Sequence, residues 1–109
     1  MLQSCDAPPF ACTTTFDARG EARVRLRGEL DIATCPLVRR SLDEALRVCP
    51  VTVVDLRGLA FMDTTGVHTF LDATADARRL SRILLLIAGP PSVQAVFALT
   101  GQSDAVVVA

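Results

Sequence analysis

The sequence predicts an α/β domain in which strands and helices follow the order ββαβαβαβ, with a mixed sheet of four to five strands flanked by helices. Short β-branched or apolar runs alternate with longer segments whose apolar residues recur at helical spacing. The later strand segments, VTVVDL and RILLLIAG, are almost continuously apolar, which is typical of strands covered on both faces of a largely parallel sheet. This alternation of element types favours a sheet packed by helices.

The first two strands are predicted to form a hairpin. FACTTTF, residues 10–16, and EARVRLRG, residues 21–28, are joined by DARG, and both runs have a composition suited to strands. In the second run apolar residues alternate with Arg23, Arg25 and Arg27, so one face of the hairpin carries arginines. A period-two charge pattern is normal for a half-exposed strand, which favours a solvated sheet face over an anion site.

The first helix is predicted after Thr34, whose side chain can cap a helix, and Pro36 is suited to the first turn. Apolar residues then recur at helical spacing as far as Cys49, and Pro50 ends the helix. The remaining predicted elements are a strand at 51–56, a loop at 57–63, a second helix, a strand at 82–89, a short helix at 91–101 and a last strand at 105–109.

The chain is predicted to form one domain over residues 10–109, preceded by a flexible lead-in at 1–9 that has a proline pair and no periodicity. Half of the 109 residues are hydrophobic, which is too apolar for a disordered tail, yet no run approaches the roughly 18 apolar residues of a membrane span. Eleven arginines against twelve acidic residues give a net charge of −1, so no broad basic field exists for nucleic acid.

The four cysteines, Cys5, Cys12, Cys35 and Cys49, are expected to be reduced in a cytosolic protein. The chain has enough apolar residues to fold without disulfides, and its start lacks the charged and then apolar pattern of a secretory leader. A zinc site is disfavoured because no C-x-x-C pair is present and His68 is the sole histidine.

The segment FMDTTGVHTFL, residues 61–71, places Asp63, Thr64 and Thr65 at the predicted start of the second helix. Such side chains can cap a helix by accepting hydrogen bonds from the free N–H groups of its first turn, which contributes about 0.5–2 kcal/mol. A catalytic nucleophile is disfavoured because His68 is the only candidate base, and neither a G-x-S-x-G elbow nor a glycine-rich phosphate loop is present. No catalytic residue and no cofactor are therefore predicted.

A third interpretation of the same segment is a phosphorylation switch. A hydroxyl at a helix start lies next to a loop, where a kinase can reach it, and its phosphate would face the positive end of the helix dipole. The fold would tolerate this modification. A docked partner would not, because a charge of about −2 would be desolvated beside Asp63. Phosphate would then break a complex without unfolding the domain.

Two separated motifs resemble the STAS domain of the anti-sigma-factor antagonist family: GELDIATCP at 28–36 and VVDLRGLAFMDTTGVHTFL at 53–71, with LTG at 99–101 fitting the same pattern. The resemblance implies a domain without catalytic activity that binds an anti-sigma factor with Ser/Thr kinase activity and so frees a sigma factor. It also implies that this kinase phosphorylates the residue after the aspartate of the D-[ST]-[ST]-G motif, which is Thr64, and that a Ser/Thr phosphatase reverses the step.

The resemblance further implies a partner-binding surface at the start of the second helix. Asp31 of the GELD motif is expected near Thr64, where it shapes this surface. Capping of the helix that begins near Thr34 is an equally good role for the Asp31 carboxylate, and we expect both. Gly66 is expected to permit a close backbone approach. The predicted partner-binding residues are Asp31, Asp63, Thr64, Thr65, Gly66, Val67 and His68.

The sequence also departs from the family pattern. Thr64 stands where Ser is common, and its extra methyl restricts side-chain rotation, which changes what a kinase must accommodate. The chain stops at Ala109, where many relatives continue into a final helix, which predicts either a trimmed chain or exposed apolar surface that drives homodimer formation. The alternative function is a STAS subunit of a lipid-transport ABC complex, or a stress-sensing scaffold, without a phospho-switch. The retained hydroxyl favours the switch.

Overall fold

The computed structural model describes residues 10–100, so the predicted lead-in at 1–9 and the predicted strand at 105–109 lie outside the described residues. Within them the order is ββαβαβα, and the mixed four-stranded sheet that the sequence predicts is confirmed. The elements are β1 Ala11–Phe16, β2 Glu21–Leu30, α1 Cys35–Val48, β3 Val51–Met62, α2 Thr64–Arg79, β4 Ile83–Ile87 and α3 Pro91–Leu99.

The strands lie in the order β1-β2-β3-β4 across the sheet. The predicted hairpin is present, because β1 pairs antiparallel with β2, whereas β3 pairs parallel with β2 and β4 pairs parallel with β3. Since the parallel strands are added in one direction, right-handed crossovers place α1 and α2 on the same face of the sheet. There α1 packs against α2, and α3 packs against both β3 and α2.

Strand β3 is longer than the sequence predicts. The loop expected at 57–63 is instead mostly a continuation of the strand, which runs to Met62 and stays paired with β2. The pairing of β2 with β3 shifts register twice, between Arg25 and Arg27 and again between Gly28 and Glu29. These irregularities break the two-residue alternation that identifies a strand in a sequence, so the second half of β3 has a loop-like pattern.

One main hydrophobic core lies between the sheet and the helices. All three helices contribute to it, and the rings of Phe70 on α2 and Phe97 on α3 stack with their centroids 6.4 Å apart. The largest fully buried side chains of this cluster are Val24, Leu26, Leu30, Val38, Leu42, Val54, Leu56, Leu59, Met62, Phe70 and Phe97.

The opposite face of the sheet is more open. Arg25 and Arg27 are exposed there, as the alternation in β2 predicts. Strand β4 was expected to be covered on both faces, but Leu86 is its one buried residue and Ile83 is 53% exposed. The reason is that all three helices pack into one core, which leaves the other side of β4 less covered.

Asp55 of β3 is a buried exception on this face. Its carboxylate accepts hydrogen bonds from three donors of Arg57: the backbone N–H at 3.0 Å, Nε at 3.0 Å and Nη2 at 2.8 Å. The side-chain hydrogen bonds from Arg57 lower the pKa of Asp55 and outweigh desolvation, which acts in the opposite direction.

Asp55 is therefore expected to make stability depend on pH in the acid range. Its folded pKa lies below the unfolded value of about 3.9, so ionised Asp55 stabilises the fold above that value, and the contribution is lost as pH falls through the folded pKa. Asp55→Asn should lower the free energy of unfolding at neutral pH by about 1–3 kcal/mol and flatten its decline on acidification. Urea denaturation at several pH values measures both effects, with the exposed Asp72→Asn as control. An unchanged acid slope in Asp55→Asn would contradict this role.

Candidate functional site

The candidate site lies where β2 and β3 end side by side. Leu30 and Met62 are the last residues of these strands and are partners in the register. Asp31 and Asp63 follow them directly, and the backbone N–H of Asp63 donates to the carbonyl oxygen of Leu30 at 3.1 Å. Because neighbouring strands are only about 4.8 Å apart, the two aspartates begin their loops next to each other. The sheet thus brings together the GELD and D-T-T-G segments.

Asp63 caps α2. Its backbone is extended, and its Oδ1 accepts hydrogen bonds from the backbone N–H groups of Thr65 at 2.9 Å and Gly66 at 3.4 Å. Two of the free N–H groups of the first turn are therefore satisfied by one carboxylate. This cap fixes how the first residues of the helix are presented.

Thr64 is the first residue of α2, and its side chain is exposed. Neither its hydroxyl nor that of Thr65 makes a hydrogen bond with any residue in the described range 10–100, so the two differ in exposure only. Thr65 is half-buried, and His68 is exposed one turn further along the helix. Thr64 is thus the hydroxyl of the D-T-T-G segment that an enzyme could reach most easily.

The next two residues turn inward. Val67 is fully buried in the main core, so its side chain supports the site from below and does not face a partner, although the sequence groups it with the binding residues. Gly66 is also buried, and a Cβ atom at this position would lie 2.5 Å from Cγ of Met62 and 3.1 Å from Cδ2 of Leu30. The side chains of Met62 and Leu30 therefore fill the space that a side chain at position 66 would need.

Gly66→Ala is expected to destabilise the protein. Helix propensity alone would make the change favourable by about 0.8–1 kcal/mol, but the added methyl overlaps Met62, and overpacking typically costs about 1–3 kcal/mol. We expect a net decrease in the free energy of unfolding, measured by urea denaturation. The matched control is Ala75→Gly at an exposed position of α2, where propensity alone should lower stability by about 1 kcal/mol. A stabilised Gly66→Ala protein would contradict the close approach.

Asp31 organises the loop between β2 and α1. Its Oδ1 accepts from the backbone N–H groups of Ala33 at 3.0 Å and Thr34 at 3.2 Å, and its carbonyl oxygen accepts from the N–H of Cys35 at 2.9 Å. Thr34 occupies the N-cap position of α1, but its hydroxyl makes no capping bond and donates to the carbonyl oxygen of Glu29 at 3.0 Å. Thr34 thus marks the start of α1 by its position only, and no side chain caps this helix. The Asp31 carboxylate bonds only to N–H groups that precede α1, so the capping role that the sequence suggested for it is not observed.

A groove separates the N-terminal halves of α1 and α2 next to these loops. Its volume is about 480 Å³. No local pattern in the sequence predicts this groove, and the available signal was Ile32, an apolar residue inside a polar turn. The groove is lined by Ile32, Cys35, Pro36, Arg39, Thr65, Thr69 and Asp72.

Cys35 is buried in the wall of this groove. Burial raises the pKa of its thiol; the Thr69 hydroxyl opposes this shift, and the carboxylates of Asp63 and Asp31 add to it. The thiol is therefore protonated at neutral pH and is a poor nucleophile. Cys12 and Cys49 are likewise free thiols. Among residues 10–100 no three His, Cys, Asp or Glu side chains are grouped so that they could hold a metal ion. None of the described helices is long and apolar enough to cross a membrane.

A family model described as "Mlab, STAS domain" matches residues 14–108. The chain belongs to the STAS-domain family. Over 55 residues this STAS domain is 46% identical to the anti-sigma F factor antagonist of Paenibacillus polymyxa, an alignment that covers 49% of the chain and 47% of the relative. The chain thus spans about half the length of the curated relative it matches.

Two solved structures of SpoIIAA have the same fold as this STAS domain. The anti-sigma factor antagonist SpoIIAA in its unphosphorylated form aligns with a TM-score of 0.76 and 24% identity, covering 91% of this chain and 88% of that one. The Bacillus cell fate determinant SpoIIAA in the phosphorylated form aligns with a TM-score of 0.71 and 23% identity, covering 91% of each chain.

Proposed function

We propose that this STAS domain is an anti-sigma-factor antagonist that binds a kinase-type anti-sigma factor through the surface around Thr64. Binding frees the sigma factor, and phosphorylation of Thr64 by the bound kinase releases the antagonist. The observation that carries the proposal is the exposed Thr64 hydroxyl, which begins a capped helix and makes no bond within residues 10–100. The partial similarity to an anti-sigma F factor antagonist supports the choice of partner.

The surroundings of Thr64 favour a modification that leaves the fold intact. A phosphate on this side chain would extend toward solvent and lie at the positive end of the α2 dipole, which is worth about 0.3–1 kcal/mol. The cap bonds that hold the helix start come from Asp63 and not from Thr64, so phosphorylation breaks none of them. SpoIIAA has been solved in both forms with a fold similar to that of this chain, which supports the same tolerance here.

The same phosphate would weaken the binding of a partner that covers Thr64. Asp31 and Asp63 already place two carboxylates at the ends of β2 and β3, and phosphate would add about two further negative charges to a desolvated contact. Moving a partner from almost fully bound to almost fully free takes about 5.5 kcal/mol of differential affinity. Burial and repulsion of one phosphate can supply a large part of this without a conformational change.

Within this proposal the protein acts by binding and performs no catalysis of its own. The exposed His68 has no hydrogen bond to Thr64 or to any other residue of the described range, so no oriented base activates the hydroxyl. The kinase of the anti-sigma factor supplies the chemistry, and a Ser/Thr phosphatase restores the binding form.

Incubation with a kinase-type anti-sigma factor and ATP tests the proposal, with intact mass and peptide mass spectrometry as the readout. We expect one added phosphate, located on Thr64, in the wild type and in Thr65→Ala, and none in Thr64→Ala. Thr64→Ser should also accept phosphate. A protein that binds no anti-sigma factor and takes up no phosphate, but associates with the ATPase of a lipid-transport complex, would contradict the proposal and favour the alternative.

A further inference from the structure

The groove between α1 and α2 has an apolar wall that has no role in the phosphorylation switch proposed for Thr64. Ile32 is 75% exposed, and with Pro36 and the buried Cys35 it forms one side of a space of about 480 Å³. Such a volume admits one or two large side chains. An isolated exposed isoleucine would need no explanation, but here it borders a groove that reaches the half-buried Thr65.

The groove also carries one carboxylate that is not engaged. Arg39 pairs with Asp43 at 3.1 Å and with Asp76, so its charge is already balanced. Asp72 lines the same groove, is exposed, and forms neither a hydrogen bond nor an ion pair with residues 10–100.

The carboxylates of Asp31 and Asp63 differ from that of Asp72, because both form hydrogen bonds. Asp31 and Asp63 both use their carboxylates to accept backbone N–H groups. Among the residues that line the groove, Asp72 is therefore the charged group that has no ion-pair partner within residues 10–100, and its charge is negative.

We propose that this α1–α2 groove is the specificity-determining part of the interface with the anti-sigma factor. An apolar side chain of the partner packs against Ile32 and Pro36, and an arginine or lysine of the same partner segment pairs with Asp72. The inference rests on the proposed function, because it states how the partner of the Thr64 surface is recognised. Apolar packing next to a complementary charge is the usual composition of an interface that selects one partner.

Asp72 lies far enough from Thr64 for a partner group bound at Asp72 not to interfere with release of the partner by phosphorylation. Thr64 and Asp72 are eight positions apart on α2, which corresponds to about 12 Å along the helix axis at about 1.5 Å per residue. An ion pair needs an N···O distance of about 4 Å or less, so one basic group cannot pair with both residues. A basic partner group at Asp72 would therefore not neutralise a phosphate on Thr64, and phosphorylation can still repel the partner.

Two substitutions test the groove, each with a matched control on α1. Ile32→Asn is compared with Val48→Asn, since Val48 is also an exposed aliphatic residue, at 63% exposure, and does not line the groove. Asp72→Asn is compared with Glu44→Gln, since Glu44 is exposed and has no ion pair within residues 10–100. Isothermal titration against the anti-sigma factor that binds the wild type gives Kd at low and at physiological salt, and circular dichroism melting monitors the fold.

We expect Ile32→Asn to weaken binding about 10-fold or more at both salt concentrations. Asp72→Asn should weaken binding about 3- to 10-fold at low salt and reduce its salt dependence, because a charge pair is lost. Both controls should bind like the wild type, and no melting temperature should change, since all four positions are exposed.

If both groove variants bind like the wild type while phosphorylation of Thr64 still releases the partner, the groove proposal is wrong and the proposed function stands. If Asp72→Asn binds more weakly but keeps the salt dependence of the wild type, the charge pairing at Asp72 is wrong. If the wild type binds no anti-sigma factor, the proposed function is wrong, and the occupant assigned to the groove is wrong with it.

Discussion

Thr64→Glu is expected to abolish binding to the anti-sigma factor while leaving the domain folded. The side chain is exposed at the start of α2, so a longer residue fits without overlap, and a negative charge there is compatible with the helix dipole. At the interface the same charge would be desolvated beside Asp31 and Asp63. We expect a loss of at least about 100-fold in affinity, which corresponds to about 2.7 kcal/mol.

The matched control for this charge is Thr64→Gln. Glutamine has nearly the same shape as glutamate but no charge, so any steric effect of the longer side chain appears in both variants. Isothermal titration of the two proteins isolates the electrostatic contribution. Equal affinities of Thr64→Glu and Thr64→Gln would show that charge at this position does not control binding.

Phe70→Ala is expected to cause the largest loss of stability. Phe70 is fully buried, lies on the same helix as Thr64 and stacks on Phe97 of α3. Truncation of a buried phenylalanine removes its packing and leaves a cavity, which together cost about 3–5 kcal/mol. Domains of this size have about 5–15 kcal/mol of stability in total, so the variant should be close to unfolding at physiological temperature.

Urea denaturation of Phe70→Ala measures this loss, and Phe16→Ala is the control. Phe16 is at the end of β1 and is 51% exposed, so its truncation should change the free energy of unfolding by less than about 1 kcal/mol. If Phe70→Ala lost no more stability than Phe16→Ala, the helix that presents Thr64 would not be held by this core contact.

Much of the architecture could be predicted from the sequence because its elements have clean periodicities. The alternation in β2 and the helical spacing in α1 correspond to observed elements, and the apolar runs correspond to β3 and β4. The second half of β3 could not be predicted, since its register shifts against β2 remove the alternation. The prediction that β4 is covered on both faces was wrong for another reason: an apolar run does not reveal on which face the helices pack.

The candidate site was predictable to the extent that it follows from topology. The resemblance implied that Asp31 lies near Thr64, and the observed pairing of β2 with β3 explains this, because parallel strands that pair to their last residues end at the same edge of a sheet. The inward orientation of Val67 depends on how α2 packs on the sheet, and the groove at Ile32 depends on the spacing between two helices. No local sequence motif predicts either feature, because both arise from contacts between elements distant in sequence.

A protein phosphorylated on Thr64 alone, purified and titrated against the same anti-sigma factor as the unphosphorylated form, tests whether this hydroxyl is the switch. We expect the phosphorylated form to bind at least about 100-fold more weakly and to regain full affinity after phosphatase treatment, with an unchanged circular dichroism spectrum. Equal affinity of the two forms would contradict the proposal that charge on Thr64 decides whether the partner stays bound.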